Sequence, residues 1–160
     1  MSIAENIAAV RARIAAAAES AGRKPEEILL VGASKMNDAA ACREAIAGGL
    51  TALGENRVQE LLEKDAQGAY AGAALHFIGR LQRNKVKYLV GRVDLIESID
   101  SLPLLQEVQR LAEKRGVTQD ILLEVSAAGE ESMPALAEEP IRRQDGASVP
   151  YTSRLRDTTC

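Results

Sequence analysis

The chain has no tryptophan, one phenylalanine and three tyrosines in 160 residues, so few rings are available to stack on nucleobases. Its 20 basic and 23 acidic residues leave a net charge of -3 and no broad positive field, and nucleic acid is not expected as a partner. There are two cysteines and one histidine. Cys42 falls inside an expected helix and Cys160 is the last residue, which gives neither a disulfide framework nor the ligand spacing of a zinc site. A reducing cytoplasm is the expected location. No stretch approaches the ~20 apolar residues of a membrane span, and the amino end carries Glu5 with no basic segment ahead of an apolar core. Neither export nor membrane insertion is expected. No G-x-G-x-x-G follows the first strand and no G-x-x-x-x-G-K-[ST] occurs anywhere, so two common nucleotide-binding signatures are missing.

What is present is ordinary for a globular domain, with 46% apolar and 27% charged residues. Ile3, Ile7, Val10 and Ile14 recur at helical spacing from Ser2 to Ala21, with Ser2 and Glu5 placed as a capping box and Gly22 as the stop. Pro25 ends that pattern. A strand is expected over Ile28 to Lys35, then a helix capped by Asn37 or Asp38 that runs through Ile46 to Gly48-Gly49. A second strand at Leu50 to Leu53 leads through Gly54-Glu55-Asn56 into a helix from Arg57 to about Gln67, and a third strand follows at Leu75 to Ile78. A turn over Gly79 to Asn84, a short helix at Lys85 to Val90, a strand at Val93 to Ile99, a helix at Ser101 to Arg115 closed by Gly116, and a strand at Asp120 to Val125 complete the pattern. Five strands alternating with helices through short loops predict parallel βαβ units with right-handed crossovers. Periodicity alone does not choose between an open sheet and a barrel.

The residues ILLVGASK, Ile28 to Lys35, place an amine at the carboxyl end of the first strand, which is the ligand-holding end of parallel sheets and barrels. Apolar walls around such a lysine disfavour its ammonium form and free the amine to condense with an aldehyde. The alternative is a lysine that opens a loop and points into water.

The words ASK at Ala33 to Lys35, GEN-x-VQELLEK at Gly54 to Lys64, HFIG-x-LQ-x-NKVKYLV at His76 to Val90, VDLI-x-SIDS at Val93 to Ser101 and SAAGEES at Ser126 to Ser132 occur in one order. Together they resemble the pyridoxal phosphate homeostasis family over roughly residues 3 to 132. The resemblance implies a barrel like the amino-terminal domain of alanine racemase. It also implies pyridoxal 5'-phosphate (PLP) held as an internal aldimine on Lys35, no catalytic turnover, a role in cofactor balance, and a monomer. Where the family has SKT or SKY, this chain has Ser34-Lys35-Met36. Asn56 matches a family position facing the cofactor ring, yet it also stands as a helix N-cap three residues before Gln59. His76 is a candidate cofactor contact, with a hydrogen-bonded core histidine as the alternative. Gly79 allows a close backbone approach, either to a ligand or within a tight turn. Arg80, Arg83, Lys85 and Lys87 form a basic cluster that could attract an anionic ligand, with solvated helix charges as the favoured alternative, and Asn84 reads as a cap.

Residues 133 to 160 contain Pro134, Pro140 and Pro150 and sustain no period of 3.6 or 2. The expected organisation is therefore a partial PLP-binding (β/α) barrel over 1-132 and a divergent, disordered tail over 133-160. A TIM-type (β/α)8 barrel takes eight strands and at least ~200 residues, so five strands make an incomplete one. Unpaired edges at the first and fifth strands and self-association through them are expected. The anion clamp that such barrels build after their seventh and eighth strands is missing from the recognised sequence, which predicts weak selectivity for the phosphorylated aldehyde. Two further readings stay open: a racemase-like or Schiff-base enzyme, and a fragment without cofactor chemistry.

Overall fold

The structure, a computed structural model, describes residues 2–124; the expectations for Val125, for Ser126 to Ser132 and for the 133-160 tail lie outside the described residues. Helix α1 (Ile3–Ser20) opens on the expected capping box, in which the Ser2 hydroxyl accepts from Glu5 N–H and the Glu5 carboxylate accepts from Ser2 N–H at 2.7 Å. Two orphan amides of the first turn are thereby satisfied by one sequence motif. Ile3, Ile7 and Ile14 are half-buried while Val10 is exposed, because α1 packs mainly on the next helix and that contact covers only part of its apolar stripe.

Five strands follow, β1 (Val31–Ala33), β2 (Ala52–Glu55), β3 (Ala74–Phe77), β4 (Leu95–Ile99) and β5 (Asp120–Leu123), paired in parallel in their chain order. The helices α2 (Ala39–Ala47), α3 (Val58–Asp65) and α4 (Leu102–Arg115) and a 3-10 helix at Arg83–Tyr88 lie between successive strands. Parallel strands joined sequentially through helices are the repeating unit of a (β/α) barrel, and these are five such strands of the eight a closed TIM-type barrel takes. Among the described residues β1 pairs only with β2 and β5 only with β4, so both outer edges are unpaired as expected.

The register defines two faces, because side chains alternate along each strand. Gly32, Leu53 and Leu75 share one face, and Gly54, His76 and Leu95 share the other. The first face meets the helices in a core that includes Leu53, Leu61, Leu75, Phe77, Leu89, Ile96, Val108 and Leu111. The small residues Ala33 and Gly54 and the Ile78 side chain belong to the second face, the side a barrel turns inward.

Several boundaries differ from expectation for identifiable reasons. The run from Ile28 forms ladder only from Val31, and Leu29 is 57% exposed, because among the described residues β1 has a neighbour on one side alone. β2 begins two residues later than expected, since Leu50 N–H bonds the Ala45 carbonyl and so belongs to the exit of α2. That shift brings Glu55 into the strand. Asp38 rather than Asn37 caps α2, accepting from Ala41 N–H at 2.8 Å. Asn84 is not a cap: it lies inside the 3-10 helix, which Gln82 precedes without a side-chain bond.

Gly116 closes α4 in the left-handed region at φ 64, where a Cβ crowds the following carbonyl. Gly116→Ala is expected to lower stability by about 1 kcal/mol, measured as a shifted urea midpoint at constant slope.

Candidate functional site

The carboxyl ends of β1 and β2 are tied together by a buried polar cluster. Ser34 follows β1, and its hydroxyl donates to the Gly54 carbonyl at 3.1 Å and to the Glu55 carboxylate at 3.2 Å. Glu55, fully buried, accepts from Lys64 Nζ at 2.6 Å through Oε2 and from Asn56 N–H at 2.8 Å through Oε1. Lys64 rises from α3 beside Leu61 on its buried face, is 8% exposed, and donates a second hydrogen bond to the Ser34 carbonyl at 2.8 Å. Glu60 adds a second carboxylate at 3.6 Å, an ion-pair contact beyond hydrogen-bond distance. Burial by itself would push the Lys64 pKa down, but the hydrogen bond and charge of Glu55 outweigh it and hold it above the ordinary lysine value. Lys64 is a locked cation, unsuited to nucleophilic addition.

Lys35 comes next after Ser34 and sits in a turn closed by Asn37 N–H donating to the Ser34 carbonyl at 3.1 Å. Asn37 also donates through Nδ2 to the Lys35 carbonyl at 3.2 Å, and Met36 occupies the left-handed region at φ 63. A non-glycine residue at positive φ is held there by its surroundings. The turn presents Lys35 outward, and the residue is exposed. The apolar shielding expected for this amine is therefore not supplied by the described residues: β1 is an edge strand, and Lys35 lies beyond its last ladder residue.

Asn56 stands at the equivalent place one strand over. It does not cap α3: Arg57 is the N-cap without a side-chain bond, and Gln59 turns to Glu63 at 2.7 Å instead of reaching back. The Oδ1 atom of Asn56 is buried and has no hydrogen-bond partner, a condition that costs free energy until a donor arrives. The residue lines a cleft of about 820 Å³ floored by Phe77 and Leu81 and rimmed by Arg57, Arg80 and Lys85. Two of those cations have acidic neighbours, Arg57 with Glu60 at 3.4 Å and Arg80 with Asp100 at 3.9 Å.

His76 and Gly79 occupy supporting positions. His76 pairs in register with Gly54, two residues short of Asn56, is 5% exposed, and shares a hydrogen bond of 2.7 Å between Nδ1 and Glu97 Oε1. Gly79 makes its close approach to protein: a Cβ there would lie 2.2 Å from the Asn56 carbonyl oxygen. The missing side chain lets the end of β3 press on the backbone that carries Asn56. Among the described residues no cluster of His, Cys, Asp and Glu could hold a metal ion, and no helix is long and apolar enough to cross a membrane.

No protein-family model matches the chain. Over 142 residues it is 43% identical to the pyridoxal phosphate homeostasis protein of Aquifex aeolicus, a match that takes in 89% of this chain and 62% of that one. The proteins of the same name from Pseudomonas aeruginosa and Escherichia coli are 42% and 39% identical over 147 and 141 residues. Each of those two matches takes in 85% of this chain, and they take in 63% and 60% of the relatives. Over most of its own length this chain is similar to the pyridoxal phosphate homeostasis proteins. It spans about three-fifths of the length of these curated relatives. Among solved structures, PipY of Synechococcus elongatus without PLP superimposes with a TM-score of 0.71 at 33% identity, over 83% of this chain and 58% of that one. PipY with PLP bound superimposes with a TM-score of 0.68 at 34% identity, over 79% and 56%.

Sequence reasoning singled out Lys35, Asn56, His76 and Gly79 and missed Glu55 and Lys64. Two signals pointed to them. Glu55 alternates with Leu53 onto the helix-facing side of β2, and Lys64 stands three residues after Leu61, where α3 buries its face. Cys42 and Tyr70 border the same cluster; burial pushes the pKa of both the thiol and the phenol up, so both stay protonated.

Lys64→Met is expected to cost about 3–5 kcal/mol by leaving Glu55 charged and unpaired, whereas Glu55→Leu with Lys64→Met falls near the unsubstituted stability; urea unfolding of the three proteins checks this. The raised folded-state pKa of Lys64 means that its contribution is complete below the ordinary lysine value of 10.5 and fades as pH rises through the folded-state pKa. Alkaline unfolding of the double variant is expected to lack that step.

Proposed function

We propose that this chain is a non-catalytic PLP-binding protein of intracellular PLP homeostasis, with Lys35 as the residue that holds the cofactor covalently. The ε-amine of Lys35 would hold the cofactor, whose aldehyde would supply the electrophilic carbon for that bond. The observation that carries the reading is the buried, partnerless Asn56 Oδ1 beside the turn that presents Lys35. An acceptor lacking a donor fits a ring hydroxyl next to the aldehyde. The Lys64 ammonium, locked by its carboxylate and carbonyl, is excluded as the reacting amine. His76 braces the floor of the site through Glu97, and Gly79 holds the Asn56 backbone from β3.

Support also comes from the relatives named for PLP homeostasis and from the likeness to PipY, whose structure includes PLP. The residues at this rim fit the aldehyde and hydroxyl end of the cofactor better than its phosphate. Among the described residues the cations lining the cleft, Arg57, Arg80 and Lys85, are exposed, Arg57 and Arg80 have acidic neighbours, and the buried cation Lys64 is committed to Glu55. Among the described residues His76 is engaged with Glu97 beneath the rim.

Incubation with PLP, reduction with borohydride and peptide mapping is expected to place the adduct on Lys35 and to lose it in Lys35→Ala; adducts scattered over surface lysines would overturn the assignment. Pyridoxal and PLP are expected to bind with comparable apparent affinity in absorbance titrations. A strong preference for the phosphorylated aldehyde would show that a phosphate grip exists.

A further inference from the structure

We propose that Glu55 and Lys64 are positioning residues for Lys35 and Asn56, acting on the peptide planes that carry the two side chains. The inference rests on the reading of Lys35 as the imine-forming residue and deepens it.

A peptide unit is a rigid plane that joins one residue's carbonyl to the next residue's nitrogen and Cα. The Ser34 carbonyl therefore lies in the same plane as the Lys35 nitrogen and Cα. Lys64 Nζ grips that carbonyl at 2.8 Å from the helix side, and Asn37 N–H grips it at 3.1 Å from within the turn. The plane on the far side of Lys35 is held by Asn37 Nδ2 on the Lys35 carbonyl at 3.2 Å. Only the side chain of Lys35 is left free, starting from a Cα whose two flanking planes are both pinned.

Glu55 does the same for Asn56. Its Oε1 accepts the Asn56 N–H at 2.8 Å, which fixes the plane between Glu55 and Asn56, while its Oε2 holds Lys64 at 2.6 Å and Ser34 Oγ at 3.2 Å. One carboxylate thus connects both planes, and the distance between the amine-bearing turn and the orphan acceptor is set from behind the sheet. The arrangement compensates for what β1 lacks. An edge strand with a single neighbour gives its last residues little lateral support, and Met36 at positive φ adds a turn that needs outside help to persist. The brace comes from α3, which is anchored in the core through Leu61.

Glu55→Leu with Lys64→Met removes the brace and leaves no uncompensated charge. Ser34 keeps its bonds to Gly54 and Asn37. In cofactor-free protein, hydrogen exchange of the Asn37 amide is expected to accelerate by about tenfold or more, while amides of α4 and β4 keep their rates. The yield of borohydride-trapped adduct on Lys35 at limiting pyridoxal is expected to fall by about 10- to 100-fold, as for a reacting group displaced by about 1 Å. Lys64→Arg, which preserves charge and donors, restores part of the yield. A folded double variant with unchanged exchange at Asn37 and unchanged Lys35 adduct would overturn the positioning role and leave the Lys35 assignment standing. If the unsubstituted chain forms no Lys35 adduct, that assignment fails instead, and the exchange rate at Asn37 alone decides whether the brace exists. Should the double variant not fold, Glu55→Gln tests the Lys64 arm alone, since it keeps an acceptor for Asn56 N–H and removes the charge that holds Lys64; unchanged exchange at Asn37 and unchanged Lys35 adduct there would overturn that arm.

Discussion

The buried pair between Glu55 and Lys64 is the contact on which the ligand-bearing end of this fold depends, because it is the place where β1, β2 and α3 are joined by something other than apolar packing. A carboxylate with no exposure and an ammonium with almost none are expensive to remove from water. Here the two charges are hydrogen-bonded to each other, Glu55 also accepts from Ser34 and Asn56, and Lys64 also donates to the Ser34 carbonyl. The pair is weak evidence for stability as such. Its geometry does more for placement, since it converts the position of a core helix into the position of two backbone planes.

The same cluster separates two lysines that composition alone would treat alike. Lys64 is buried, coordinated by acceptors and held as a cation; Lys35 is exposed, with its backbone pinned and its amine free of any such lock. The division leaves one amine committed to charge and geometry and the other uncommitted. Among the described residues the expected apolar wall around Lys35 is not built by β1 and its immediate neighbours.

The inner face of the sheet follows the logic of parallel (β/α) units. Small residues at Ala33 and Gly54 leave room on the face that carries His76 and Ile78, and the larger Leu53, Leu75 and Phe77 alternate outward into the helix layer. Gly79 contributes by absence, since any side chain there would collide with the backbone of Asn56. His76, satisfied by Glu97, is a floor residue in this arrangement.

Read alone, the chain already determined the succession of strands and helices, the capping box at Ser2 and Glu5, the stop at Gly116 and the arrival of Lys35 at a strand end, because each follows from local periodicity or from a cap within four residues. The motif words also carried the family resemblance that the relatives bear out. What only the tertiary structure decided was how neighbouring units meet. The loss of Leu50 to the exit of α2 moved β2 by two residues and made Glu55 a strand residue; Gln59 found Glu63, leaving Asn56 an acceptor without a donor. The pairing of Glu55 with Lys64 and Ser34 depends on the register between β1 and β2 and on the face that α3 buries. Those are non-local quantities, set by which hydrogen-bond partners the packed chain brings together, and no pattern along a single segment contains them.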